Sequence, residues 1–131
     1  MRLKALVWIL RSGSSGPSIL LLERAPHRGG GEHPVTGKAD RGETAQECAA
    51  REALEETGLG GEIVDLGYAH RYRGRKGQFE EHAFLLRVPV DAQPKLSAEH
   101  VGYRWASARE ARSVLRWKAH AKALELALRA F

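Results

Sequence analysis

A chain of 131 residues is long enough to bury one substantial core and too short for two comfortable ones, so a single domain over residues 1–131 is expected. An apolar share of 43% with 28% charged residues excludes a disordered or fibrous class. The net charge of +5 favours anionic partners such as phosphates, nucleotides or nucleic acid, and the single cysteine, Cys48, excludes an internal disulfide framework and fits a reducing, cytoplasmic compartment.

The opening "MRLKALVWILRSG" has a basic start and an apolar run, but "ALVWIL" is short for a signal sequence and is closed at once by Arg11, so it reads as a first strand. No stretch approaches the ~20 apolar residues that cross a bilayer, and no membrane partner is expected. "SILLLER" repeats the strand character after the turn-forming "SGSSGP". "APHRGGGEHPVTG" lacks periodicity and is rich in Gly and Pro, which predicts a surface loop ending near Gly37.

Thr44 followed by Glu47 makes a capping box, and Gly58 suits a helix C-terminus, so a helix is predicted from about Ala45 to Thr57. "EIVDLGYAHRYR" and "FEEHAFLLRVPV" read as strands around the basic turn "GRKGQ", either as a hairpin or flanking a longer excursion. "VGYRWA" is a short strand candidate, and Ser107 with Glu110 opens a helix through about Leu115. In the last segment Trp117, Ala121, Leu124, Leu128 and Phe131 fall at helical spacing as a core-facing stripe. The order of elements gives an α+β fold, or an α/β/α arrangement.

Glu52, Glu55 and Glu56 fall within an arc of about 100° on the first helix, with Ala50, Ala53 and Leu54 on the other side for packing. Like charges that close repel, so a cation is expected among them. Oxygen-only ligands suit a hard divalent ion, Mg²⁺ or its substitute Mn²⁺, whereas no Cys/His pair has zinc-ligand spacing. The competing view is a solvated acidic face built from ordinary helix formers.

The flanks of that cluster carry more. From Gly37, five residues lead to Glu43, seven more to Arg51-Glu52, and then Ala53, Leu54, Glu55-Glu56, Thr57, Gly58 and Leu59. This spacing resembles the Nudix box, G-x5-E-x7-R-E-U-x-E-E-x-G-U with U apolar, at every specified position. The resemblance implies a mixed β-sheet between α-helices and metal-dependent hydrolysis of a nucleoside diphosphate linked to another moiety, or of a related pyrophosphate. It further implies that Glu52, Glu55 and Glu56 are metal carboxylates, that the Gly37 carbonyl helps position an ion, and that Glu43 and Arg51 orient loop and helix. Many members use one more acid as ligand or general base. "SAEHVGYRW" resembles the segment supplying it in dihydroneopterin triphosphate pyrophosphohydrolases, which points to Glu99, with Glu81 in "FEEHAF" as the competitor.

"VTGKADRGET" is likewise similar to that branch and to the broader MutT-like group, although Gly31, Glu32 and His33 stand where an aromatic residue often precedes "PVTG". The proline of ADP-ribose enzymes and the tyrosine of dinucleoside polyphosphate enzymes are not found around "GRKGQ". Lys38 is a candidate phosphate contact. Arg71, Arg73, Arg75 and Lys76 either steer polyphosphate or form a solvated hairpin tip. Trp105 and Trp117 read as core, and Cys48 as a small packing residue. The leading expectation is a pyrophosphohydrolase of a nucleoside triphosphate or similar small polyphosphate, pterin triphosphate included. The alternatives are a hydrolase of ADP-ribose, dinucleoside polyphosphates or RNA 5′ ends, and a non-catalytic nucleotide-binding module. Nucleic acid is not favoured, because no aromatic-rich single-strand platform is legible. A homodimer fits the family resemblance.

Overall fold

The computed structural model describes residues 1–131. Strand β1 (Arg2–Gly13) is its axis: along it Ala5, Val7 and Ile9 point to one face and Leu6, Trp8 and Leu10 to the other, all six buried. A strand apolar on both faces belongs at the centre of a covered sheet. β1 pairs antiparallel with β2 (Gly16–Arg24) and parallel with β6 (Gly77–Arg87), and the sheet continues through β5 (Ile63–Gly74) on one side and the two-residue β3 (Glu32–His33) on the other. β4 (Val35–Lys38) pairs with the start of β1, and β7 (His100–Ala106) pairs with β2. The sheet is therefore mixed.

Helix α1 (Ala45–Thr57) covers the Ala5/Val7/Ile9 face through Cys48, Ala49 and Ala53. α2 (Ala108–Val114) and α3 (Lys118–Ala130) cover the other face through Ala111, Ala123, Leu124 and Ala127. Small residues on the helices let them sit close on a sheet of large ones. The capping boxes at Thr44 and Ser107 are both formed, and Gly58 ends α1 with φ +71°. β5 and β6 form a hairpin about Arg75 and Lys76. No helix is long and apolar enough to cross a membrane.

Four expectations need correction. The 25–37 segment is no free surface loop: it holds a 3-10 helix (Pro26–Arg28), β3 and most of β4, and it buries His33 and Val35. Trp117 is not core but 66% exposed, because it lies before the first turn of α3 and outside its register. The buried stripe of α3 runs instead through Ala119, Ala123, Leu124 and Ala127, with Leu128 and Phe131 partly buried and Ala121 off it. Leu54 is 55% exposed, since Ala49 and Ala53 already occupy the contact with the sheet. Trp105 packs against the core as expected, and Cys48 is fully buried.

Candidate active site

Four carboxylates meet one guanidinium at the start of the site. Arg51 Nε donates to Glu43 Oε2 at 2.8 Å and Nη2 to Glu43 Oε1 at 2.9 Å, while Nη1 donates to Glu52 Oε1 at 2.7 Å and to Glu55 Oε2 at 3.1 Å. Asp40 Oδ2 adds an ion pair at 3.3 Å. Arg51 Nη2 also donates to the Lys38 carbonyl at 3.0 Å, so α1 and the loop after β4 are clamped together. The two hydrogen bonds from Arg51 hold the Glu43 carboxyl down at about 2. Part of the cation expected among these acids is thus Arg51 itself.

Glu56 has a different environment. It is 5% exposed, and its Oε2 is buried with no hydrogen-bond partner. Burial, and then the neighbouring carboxylates of Glu52 and Glu99, push its carboxyl well above the usual range. Glu99 is brought near by the backbone: Lys95 N donates to Thr57 O at 2.7 Å and Ser97 N to Glu56 O at 3.2 Å, tying the segment before β7 to the last turn of α1.

Glu56 and Glu99 line one cavity of about 190 Å³ together with Arg24, Arg28, Thr36 and His100. Two guanidinium groups thus stand with two carboxylates, which is a pairing for a bridged anion and cation. Behind Glu56 lies a buried imidazole pair. His33 Nδ1 is 2.6 Å from Pro34 O and so donates to it; His33 Nε2 then accepts from His100 Nε2 at 3.1 Å, and His100 Nε2 is 3.8 Å from Glu56 Oε1. Burial pushes His33 down to about 3, so it is neutral near pH 7.

The residues singled out in the sequence do not all meet. No three His, Cys, Asp or Glu side chains converge tightly enough to hold an ion without adjustment, because Glu52 and Glu55 are turned to Arg51. The donor set nevertheless fits a hard divalent cation: it is all oxygen, and the orphaned Glu56 Oε2 is a buried acceptor in want of a charge partner. Gly37 is where it must be, since a Cβ there would run into the Glu52 side chain. Glu81 lies apart, on β6, lining a second cavity with Lys4 Nζ 3.7 Å from its Oε2. Lys38 Nζ sits 5.6 Å over the Phe79 ring and lines neither cavity. Sequence reasoning passed over Arg24, Arg28 and Thr36. They belong to strand ends and a short 3-10 turn that carry no spacing signal, and only the sheet register sets them opposite α1.

Comparison with known proteins bears on the fold and the family. Over 91 residues the chain is 41% identical to a Myxococcus xanthus protein named octanoyltransferase; the match covers 66% of this chain and 26% of that one, so the chain spans about a quarter of its length. The E. coli dihydroneopterin triphosphate pyrophosphohydrolase superposes with a TM-score of 0.83 at 22% identity, over 98% of this chain and 96% of that one. The C. elegans Ap4A hydrolase in its binary complex gives 0.82 at 20% identity, over 96% and 94%. These likenesses establish the fold. The NUDIX domain model matches residues 1–127, nearly the whole chain. With the box complete from Gly37 to Leu59 and its glutamates gathered on α1 beneath a mixed sheet, the chain belongs to the Nudix hydrolase family.

Proposed function

We propose that the chain is a divalent-metal-dependent pyrophosphohydrolase of a nucleoside triphosphate or related small polyphosphate, pterin triphosphate included. The observation that carries this is Glu56, buried with a partnerless Oε2, lining one cavity with Glu99, Arg24 and Arg28. Glu52, Glu55, Glu56 and Glu99, with the Gly37 carbonyl, would hold Mg²⁺ or Mn²⁺, which when bound supplies Lewis-acid polarisation of a phosphoryl oxygen and acidifies water. Arg24 and Arg28 grip phosphate oxygens through charge-assisted hydrogen bonds. Glu99, exposed on that cavity, accepts the proton of the attacking water, and Arg51 keeps Glu52 and Glu55 in place. Glu81, which lines the other cavity, is left out of that role in this reading.

An acyl-transfer reading, suggested by the name of the Myxococcus xanthus relative, finds no support at Cys48: it is buried, and burial pushes its thiol up to about 11. The test is to incubate the protein with Mg²⁺ or Mn²⁺ and nucleoside triphosphates, dihydroneopterin triphosphate, ADP-ribose, diadenosine polyphosphates or triphosphorylated RNA, and to separate the products by anion exchange. Pyrophosphate released from one triphosphate, and its loss in EDTA, is expected. Cleavage confined to ADP-ribose, dinucleotides or RNA would replace the substrate, and binding without any cleavage would make the chain a nucleotide-binding module.

A further inference from the structure

Two buried histidines meet beside β2, and neither takes part in the hydrolysis proposed above. Leu22 of β2 pairs with His33 of β3 on one side and with Tyr103 of β7 on the other, while Arg24 pairs with His100 at the start of β7. The two imidazoles come from strands that flank β2, and their ring centroids are 5.0 Å apart. Pro34 follows His33 and favours extended backbone there, so the ring enters from a fixed direction.

The surroundings of the pair determine where its protons sit. A carbonyl only accepts, so the Pro34 oxygen 2.6 Å from His33 Nδ1 requires a proton on that nitrogen. Burial keeps the ring neutral, which leaves a lone pair on His33 Nε2. That lone pair takes the N–H of His100 Nε2 at 3.1 Å, whereas Glu56 Oε1 stands 3.8 Å from the same nitrogen, out of hydrogen-bond range. His100 Nδ1 is buried without a partner, so the bond to His33 is the one hydrogen bond this ring makes.

We propose that His33 is a positioning residue of the candidate active site: by drawing off the N–H of His100 it keeps that imidazole from capping Glu56, whose oxygens stay open for a divalent ion. The assignment rests on the hydrolase reading above and concerns how one of its metal carboxylates is kept available. Without an acceptor at residue 33, the His100 N–H would be left buried and unpaired beside Glu56 Oε1. A buried donor rarely stays unpaired, and a small ring rotation would give it to the carboxylate. A lone pair filled in that way must be released before an ion can take it.

Long-range ¹H–¹⁵N correlation of the histidine rings, in EDTA at pH 7, reads the protons directly. His33 should carry its proton on Nδ1 and His100 on Nε2; a proton on His33 Nε2 would overturn the proposal. Mn²⁺ affinity is then measured by electron paramagnetic resonance, without substrate. His33→Phe fills the space but accepts nothing, and should bind Mn²⁺ about tenfold more weakly, the scale of one hydrogen bond that the ion must displace. His33→Gln returns an acceptor and should restore wild-type affinity. Adding His100→Phe to His33→Phe removes the released N–H and should recover what His33→Phe lost. If His33 only filled space, Phe would serve better than Gln and the second substitution would deepen the loss. Either of those results, or unchanged affinity in His33→Phe, would overturn the proposal. Should the doubly substituted chain not fold, the ranking of Phe against Gln and the proton positions in wild type still decide. No substrate enters these measurements, so their failure leaves the hydrolase reading standing, and the expected pattern without cleavage of any substrate would fail the hydrolase reading alone.

Discussion

Arg51 holds Glu43 through two parallel hydrogen bonds, Nε to Oε2 and Nη2 to Oε1, and spends its remaining nitrogen on Glu52 and Glu55. One planar fork thereby fixes the loop after β4 and two of the candidate metal carboxylates. A lysine offers a point charge on a flexible stem and cannot make the paired contact. Arg51→Lys should therefore lower kcat by about 100-fold, the cost of displacing groups by an ångström, while far-ultraviolet circular dichroism is preserved. A variant with wild-type kcat would remove Arg51 from the positioning role.

Gly37 and Glu52 make the second prediction. Gly37 pairs with Ala5 of β1, and the Glu52 side chain passes over it in the space a Cβ would fill. Gly37→Ala should push Glu52 off its position, weaken Mn²⁺ binding measured by electron paramagnetic resonance, and reduce turnover by about 100-fold. Unaltered Mn²⁺ affinity would show that the close approach has no part in holding an ion.

Glu56 is expected to be a stability liability kept for function. Glu56, ionised in the unfolded chain, must on folding take up a proton or be buried charged beside two other carboxylates; Glu56→Gln removes that cost, so in EDTA the variant should melt above wild type by roughly 3 °C, the shift for about 1 kcal/mol in a chain of this size. Excess Mn²⁺ should raise the melting temperature of wild type and leave that of the variant nearly unchanged. Calorimetric scans with and without the ion check both halves.

The buried imidazoles set the response to acid. His33 is pushed down to about 3 in the folded protein, by burial first and then by Arg24 and His100, whereas an unfolded histidine titrates near ~6.5. Between those values the unfolded chain binds a proton that the folded one does not, so stability falls as pH falls through that window. His100 and His120 are lowered by burial too and add to the trend. The carboxyls of Glu56 and Glu81, raised by burial, act in the opposite direction over the same window, so the check is the difference between two proteins: from pH 7 to pH 4.5 the urea midpoint of wild type should fall relative to that of His33→Gln. The same pH dependence in both would contradict the neutral buried pair.

Local chemistry explains which features were readable in the sequence. The limits of α1 follow from the Thr44/Glu47 box and Gly58, both signals written within a few residues, and the observed helix is Ala45–Thr57. The strands of β1 and β2 announce themselves by apolar runs. What spacing could not supply is anything set by sheet register: Arg24 and Thr36 face Glu56 only because β2, β3 and β4 pair as they do, and the Gly-rich string before Gly37 conceals two short strands. Helical spacing sets Trp117 on the core stripe only if the helix includes it, and Trp117 precedes the first turn of α3. Glu81 and Glu99 could not be separated in sequence; the backbone bonds from Lys95 and Ser97 to the end of α1 bring Glu99 to Glu56, and β6 carries Glu81 to another cavity.

The central claim is that Glu56 and its neighbours hold a divalent ion against a phosphoanhydride. The most direct measurement is ³¹P nuclear magnetic resonance of a hydrolysed triphosphate, GTP or dihydroneopterin triphosphate, with Mg²⁺ for wild type and for Glu56→Gln. Pyrophosphate should appear with wild type, vanish in EDTA, and form at least about a thousandfold more slowly in the folded variant. Pyrophosphate released at the wild-type rate by a folded Glu56→Gln protein, or in the presence of EDTA, would contradict the account.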